Sequence, residues 1–461
     1  MTRPMPAADW DRAYQLDHNL TRPGGRVFLS GTQALVRLLL EQRRRDHARG
    51  LNTSGFVSGY RGSPLGMVDQ ALWQARALLQ QHDIRFLPAI NEELAATAVQ
   101  GTQQVEADPE RTVEGVFALW YGKGPGVDRA GDALKHGNAY GSSPHGGVLV
   151  VCGDDHGCVS SSMPHQSEQA LMAWSMPVLN PAEVGEYLEF GLYGWALSRF
   201  SGAWVGFKAI SETVESARSI ELPDIGREFR LPEDFVPPAD GMHNRWPDFP
   251  GLAIEARLAH KLAAARAFAR ANPLDRLLAA PGQAELGIVT VGKAHLDVME
   301  ALRLLGLDLH SLAALGIRLY KVGQSFPLEP HGALGFAEGL KEVLVVEEKG
   351  PVVEQQLKEL LYNRAVRPMV LGKEDRDGRP LLPALGELRP GRVGAVLAAW
   401  LKGHRPQVLL APLPGDGGAA LADEVAPVRR VPYFCSGCPH NTSTRVPEGG
   451  RGGAGRGGDN K

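Results

Sequence analysis

The sequence predicts an α/β protein of two units, a larger parallel-sheet domain followed by a smaller α/β domain. Three observations predict it. From Arg26 to Ile210, short apolar runs alternate with longer amphipathic stretches. The runs are continuous rather than polar–apolar alternating, so both sheet faces are covered, as in parallel sheets. A Pro- and Asp-rich break at 221–251 then interrupts the pattern, which resumes beyond it.

The elements follow in order. VFLSG (27–31) leads into a helix from Thr32 towards Arg49. GFVSGY (55–60) precedes a helix starting near Leu65, and RFLPAI (85–90) precedes one that opens at Asn91. GVFALWYG (115–122) precedes a helix near Asp128, and GGVLVVCGD (146–154) and AWVGFKAI (203–210) complete the first series. Each run is bounded by Gly, Pro, Asn or Asp, the residues that end strands. Beyond the break, an Ala- and Arg-rich helix covers 254–271. LGIVTVG (286–292), IRLYKVG (317–323), EVLVVEE (342–348) and PMVLG (368–372) form the second series, with helical stretches between them. Segment 373–390 is turn-rich, and a helix around 393–401 precedes a final loop.

Composition narrows the function classes. The chain has 461 residues, 43% hydrophobic and 22% charged, which is enough for two or three ordinary cores. A formal net charge of −3 implies no basic surface for nucleic acid. The start lacks the apolar stretch of a secretory signal, and no apolar run is long enough to span a bilayer, so no membrane partner is expected. Four cysteines in such a chain argue for a reducing compartment, and a cytoplasmic location is expected.

In open α/β sheets, ligands sit where strands end and helices begin. The first such junction is SGYRGSPLG (58–66), where Ser63 offers a hydroxyl and a backbone N–H to an anion; a plain turn explains the same residues. The second is PAINEELAATAVQG (88–101). Asn91 is a helix cap, and Glu92 and Glu93 suit a first turn through the helix dipole. Ala95, Ala96, Ala98 and Gly101 make a smooth face behind them on which another surface can pack, so burial of a carboxylate at a subunit contact is the other reading of this helix start. The third, WYGKGPGVDRAGDALKHGNAYGSSPHGG (120–147), is dense in glycine and can surround an anion or form a surface loop. The fourth, CGDDHGCVSSSMPHQSEQA (152–170), places acids, histidines and cysteines directly after a buried strand. Cys152, His156 and Cys158 have no usual zinc spacing. Near the C-terminus, Cys435 and Cys438 stand in C-x-x-C spacing, close enough to share one metal or cluster.

Together GYRGSPLG, NEELAATAVQG, WYGKGPGVDRAGDALKHGN, GDDHGCVSSSMPHQSEQ, VVEEKGPVVEQQLKELLY and YFCSGCPHNTSTRVPEG resemble the 2-oxoacid:ferredoxin oxidoreductases, and most nearly the long indolepyruvate ferredoxin oxidoreductases of bacteria. The resemblance runs from about Arg22 to Glu448 and rests on the number and order of the motifs. It implies an N-terminal extension at 1–21, a pyrimidine-type thiamine-diphosphate-binding domain at 22–220 and a linker at 221–251. A transketolase-C-terminal-like domain at 252–372 and a linker with a short helix at 373–430 would follow. Residues 431–448 would open a diphosphate-binding domain cut short, and 449–461 would be a disordered Gly/Arg tail. By the same resemblance, Glu92 is the carboxylate that touches N1′ of the aminopyrimidine, and Ser63 is a hydroxyl near cofactor and substrate, although RGSP departs from the usual Pro-x-Thr-Pro. Cys435 and Cys438 match a pair that ligates the proximal [4Fe-4S] cluster in several relatives. The implied reaction is oxidative decarboxylation of a 2-oxoacid, with Mg²⁺ anchoring the diphosphate, coenzyme A taking the acyl group and ferredoxin taking the electrons. The expected motif for diphosphate and Mg²⁺ is missing, since GDGG (415–418) precedes the cysteine pair. The chain therefore reads as the front portion of a larger enzyme, inactive alone, requiring the missing diphosphate-binding region or subunit and forming a homo-oligomer. The alternative is a non-catalytic α/β interaction module that keeps only the fold.

Overall fold

The structure, a computed structural model, describes residues 11–461 apart from 160, 162, 223–227, 246, 247, 249, 250, 414–439, 444, 447, 450–454, 457, 458 and 461. The first unit opens with α1 (His18–Thr21), β1 (Arg26–Ser30), α2 (Gly31–Ala48), β2 (Thr53–Gly59), α3 (Gly66–Gln74), α4 (Arg76–Gln81) and β3 (Ile84–Phe86). It continues with α5 (Glu92–Thr102), β4 (Gly115–Lys123), α6 (Gly124–Arg129), α7 (Gly131–Tyr140), β5 (Val148–Gly153) and α8 (Glu168–Ala173). It closes with β6 (Val178–Leu179), α9 (Val184–Ser201), β7 (Val205–Lys208), α10 (Ser211–Val214) and β8 (Ala217–Glu221). No helix or strand occurs among the described residues between β8 and α11 (Leu252–Ala271).

The central sheet has the order β6-β7-β5-β4-β2-β3 with all neighbours parallel. Its strands are buried on both faces. Phe117, Leu119 and Tyr121 of β4 join a core with α2, α3 and α9, while Ala118 and Trp120 join another with α5, α6 and α7. That two-sided burial is why the strands read as unbroken apolar runs. The first run behaves differently. In β1, Val27 and Leu29 are buried while Arg26 and Phe28 are exposed, a period of two. A strand with one wet face does not fit inside a covered sheet, and β1 instead pairs antiparallel with β8 in a separate two-stranded ribbon.

The second unit contains β9 (Arg276–Ala279), β10 (Leu286–Val291), α12 (Lys293–Leu304), α13 (Leu309–Ala314), β11 (Ile317–Val322) and β12 (Gln324–Phe326). Then come α14 (Pro330–Ala337), β13 (Glu342–Val346), α15 (Val353–Tyr362), β14 (Met369–Leu371) and α16 (Pro390–His404). Its sheet has the order β14-β13-β10-β11-β9, parallel except for β9. β12 and α11 are among the elements that tie the units together. β12 pairs antiparallel with β6, extending the first sheet. Helix α11 sends Ala265 and Phe268 into the first unit's core. No described helix is long and apolar enough to cross a membrane.

Close packing fixes α7 on the sheet. A Cβ at Gly137 would lie 2.4 Å from two ring carbons of Trp204, which is fully buried. Gly137→Ala is therefore expected to destabilise the fold by about 1–3 kcal/mol despite alanine's better helix propensity. A urea unfolding midpoint equal to that of the parent would contradict this.

Candidate active site

Parallel strands bring their C-terminal ends to one edge. Gly59 pairs with Tyr121, Lys123 with Gly153 and Cys152 with Lys208, so β2, β4, β5 and β7 end together. The loops that leave this edge carry the residues singled out in the sequence.

The Ser63 loop leaves β2. Ser63 is half-buried and precedes a cis peptide to Pro64. Pro64 and Leu65 are packed against Gly153, where any Cβ would sit 2.6 Å from Leu65 Cγ. The loop is anchored from below by Asp69, which accepts from the buried Tyr121 hydroxyl and lies 3.6 Å from Arg61. A Cβ at Gly62 would lie 2.7 Å from Lys123 Cδ, so the loop presses on the end of β4.

Glu92 is the first residue of α5. Asn91 caps the helix by accepting from Leu94 N at 2.8 Å, and the backbone oxygen of Glu92 accepts from Trp120 Nε1 at 3.0 Å. These two bonds fix the helix start on the sheet. Glu92 is 6% exposed, whereas Glu93, turned about 100° around the helix, faces solvent. The Glu92 side chain lies over Gly126, where a Cβ would be 2.7 Å from Cγ and 2.8 Å from Oε1. Only glycine permits that approach. Arg129 Nε is 3.8 Å from Glu92 Oε2, on a side chain that is 60% exposed. Ile90 and Leu94, two residues before and after Glu92 in the chain, are exposed apolar side chains.

The next loop along the edge holds a charge cluster. His165 Nε2 is 2.8 Å from Asp128 Oδ2, and Nδ1 is 3.2 Å from Asp154 Oδ1. Its ring packs on Gly124, where a Cβ would be 2.2 Å from Cγ. Asp154 is fully buried and also accepts from Ser167 N at 2.8 Å, Ser167 Oγ at 2.6 Å and Lys208 Nζ. Lys208 donates further to Glu168 at 2.7 Å and lies 3.4 Å from His156 Nε2. Burial alone would neutralise these groups, but the pairing outweighs it. The Asp154 carboxyl is held well below the usual range, chiefly by Lys208 against the effect of burial. Lys208 is held above its usual value, with Asp154 and then Glu168 outweighing burial. His156 is pushed well below its usual value by burial and by Lys208.

His165 is raised: burial lowers it, but the hydrogen bond and charge of Asp154, then those of Asp128, prevail. Only the imidazolium donates from both nitrogens to two carboxylates. A raised folded value means that this stabilisation is full below the unfolded pKa of about 6.5 and is lost as pH rises through the folded value. An NMR titration of His165 is expected to give a midpoint above about 6.5, lowered in Asp128→Asn; a midpoint at or below that of a free histidine would refute the arrangement.

The structure thus places the Ser63 loop and Glu92 on one edge, the loop meeting Lys123 through Gly62 and Glu92 lying over Gly126. Cys435 and Cys438, like GDGG at 415–418, lie outside the described residues. Cys152, His156 and Cys158 do not converge. The Cys152 thiol is buried, raised by burial and then by Asp154, and donates to Val150 O; Cys158 donates to Ser161 O. Among the described residues no group of three or more His, Cys, Asp or Glu side chains is arranged to hold a metal ion. Sequence reasoning marked the loop that carries His165 but assigned no role to His165, Asp128 or Lys208. The signal was the polar run following a strand, joined to a lysine at the end of an apolar one.

Comparison with known proteins finds relatives of the chain as a whole. Residues 276–408 match the model of the indolepyruvate oxidoreductase domain. The chain is 25% identical over 427 residues to the indolepyruvate oxidoreductase subunit IorA of Pyrococcus abyssi, covering 92% of this chain and 59% of that one. It is also 25% identical over 429 residues to the IorA subunit of Methanothermobacter thermautotrophicus, covering 91% and 60%. The chain therefore spans about six-tenths of the length of these curated relatives. The similarity to indolepyruvate oxidoreductases read from the motifs is found over nine-tenths of the chain. In fold it is similar to 2-oxoglutarate:ferredoxin oxidoreductase from Magnetococcus marinus, solved with 2-oxoglutarate, coenzyme A and succinyl-CoA bound. The TM-score is 0.55 at 15% identity, covering 82% of this chain and 66% of that one.

Proposed function

We propose that this chain supplies the aminopyrimidine-gripping part of a thiamine-diphosphate-dependent oxidoreductase that decarboxylates indolepyruvate or another aryl 2-oxoacid and delivers the electrons to ferredoxin. The observation that carries the reading is the buried Glu92 carboxylate at the strand-end edge, seated in the space left by the missing Cβ of Gly126. That seat suits a flat heterocycle bearing one basic nitrogen. Thiamine diphosphate, when bound, supplies the electron sink that lets a 2-oxoacid lose CO₂.

The chain's own part is to hold and move a proton. Glu92 would share a proton with N1′ of the ring from one carboxylate oxygen, while Trp120 keeps its backbone in place. Arg129, exposed and 3.8 Å away, is free to swing off as the ring arrives. Ser63 would stand beside cofactor and substrate from the neighbouring loop. Cys435 and Cys438 would ligate the proximal [4Fe-4S] cluster. Diphosphate and Mg²⁺ would be gripped by a diphosphate-binding region or partner subunit packed on the exposed Ile90 and Leu94, in a cytoplasmic homo-oligomer that uses coenzyme A as acyl acceptor. The test is viologen reduction by the assembled enzyme with indolepyruvate and coenzyme A. Reduction should require added thiamine diphosphate; reduction that ignores the cofactor would overturn the reading.

A further inference from the structure

Among the described residues, the turn after β13 is one of the places where the second unit meets the loops of the edge that bears Glu92. That turn is itself firmly held. The Glu347 carboxylate accepts from the backbone of Val352, Val353 and Glu354 at 3.1, 2.9 and 3.0 Å, closing the start of α15. Glu348 accepts from Leu388 N at 3.0 Å and from Lys293 at 3.2 Å. Lys349 then adopts a left-handed backbone, φ +56°, which a lysine keeps only when its surroundings enforce it. The strained turn grips the first unit at two points. Lys349 Nζ donates to His156 O of the first unit at 3.3 Å and, within its own unit, to Gly386 O at 3.1 Å. Gly350 and Gln166 bond reciprocally, N–H to Oε1 at 2.9 Å and Nε2 to O at 3.2 Å. Gln166 lies between His165 and Ser167, the two residues that hold Asp154 from this loop.

We propose that the turn 347–350 is a latch by which the second unit positions His165 against the edge that carries Glu92, and that Lys349 and Gln166 are positioning residues for that site. The grip starts on a rigid helix cap and ends one residue from His165. The His165 ring in turn bears on Gly124, two residues from the Gly126 on which Glu92 rests. The second unit thereby acts on the spacing between the imidazolium and the carboxylate without contributing a group to the chemistry. The functional meaning rests on the reading that this edge is the cofactor edge, whereas the latch itself is tested without cofactor.

Two variants of the full chain test it, followed by hydrogen exchange and by NMR of His165. Gln166→Leu keeps the volume and removes both reciprocal bonds. Lys349→Gly keeps the left-handed backbone and removes the ammonium, and Lys349→Arg should restore the parent behaviour. Exchange in the peptide 163–168 is expected to rise at least about tenfold in the first two variants, with the rest of the first unit and the unfolding midpoint unchanged. The His165 titration midpoint should fall in step. Unchanged exchange at 163–168, or a rise spread over the whole chain, would overturn the latch. A latch that holds while cofactor dependence fails would sink only the reading of the edge.

Discussion

Glu92→Gln in the assembled enzyme is expected to lower 2-oxoacid decarboxylation by about 10²–10⁴-fold, the contribution of a positioned proton-transfer group. The amide is nearly isosteric and still fits over Gly126, so the fold and the unfolding midpoint should hold. Glutamine cannot share a proton with a ring nitrogen as a carboxylate does, and that difference is what the experiment reads. Glu93→Gln is the control, because Glu93 is the neighbouring carboxylate of the same helix turn and faces solvent. Equal activity in Glu92→Gln and the parent would remove Glu92 from the chemistry. Equal losses in both variants would point to the helix start rather than to one carboxylate.

The largest expected loss of stability is at Lys208. Its ammonium is buried between Asp154 and Glu168, with no solvent to replace it. Lys208→Met keeps most of the volume but strands two buried carboxylates, and breaking such a pair costs about 3–5 kcal/mol. The pH dependence follows from the signs. Asp154 has a lowered folded pKa, so its contribution is present above its unfolded value of about 3.9 and is lost as pH falls. Lys208 has a raised folded pKa, so its contribution is present below about 10.4 and is lost as pH rises through the folded value. The parent–variant difference in unfolding free energy should therefore be widest between these limits and shrink on both sides. A triple variant that adds Asp154→Asn and Glu168→Gln should recover part of the loss, because no charge is left unpaired. A constant difference from acid to alkali would show that volume, not charge, is what Lys208 supplies.

Much of the fold was legible because burial writes a period into the chain. The runs that became β2, β4, β5, β7, β10, β11 and β13 were unbroken because helices cover both sides of them. β1 was misplaced because its run is short, and only its alternation of buried and exposed residues separates a ribbon from a central strand. β12 could not be read at all. Its three residues carry no period, and it pairs with β6 from more than a hundred residues away. At the site, Glu92 was visible as a carboxylate at a helix start, and the resemblance chose it over Glu93. The structure adds that Glu92 is the buried member of the pair.

The sequence by itself determined the strand–helix order, and hence that polar loops would gather at one sheet edge. It did so through local periods and the chirality of parallel crossovers, which need no long-range information. Only the tertiary structure decided that the buried Asp154 and Lys208 share a charge network with His165 and the exposed Asp128, and that a turn of the second unit bonds to Gln166 beside His165. Those groups come from four places in the chain, and opposite charges find one another in low dielectric only after the sheet has brought their strand ends together.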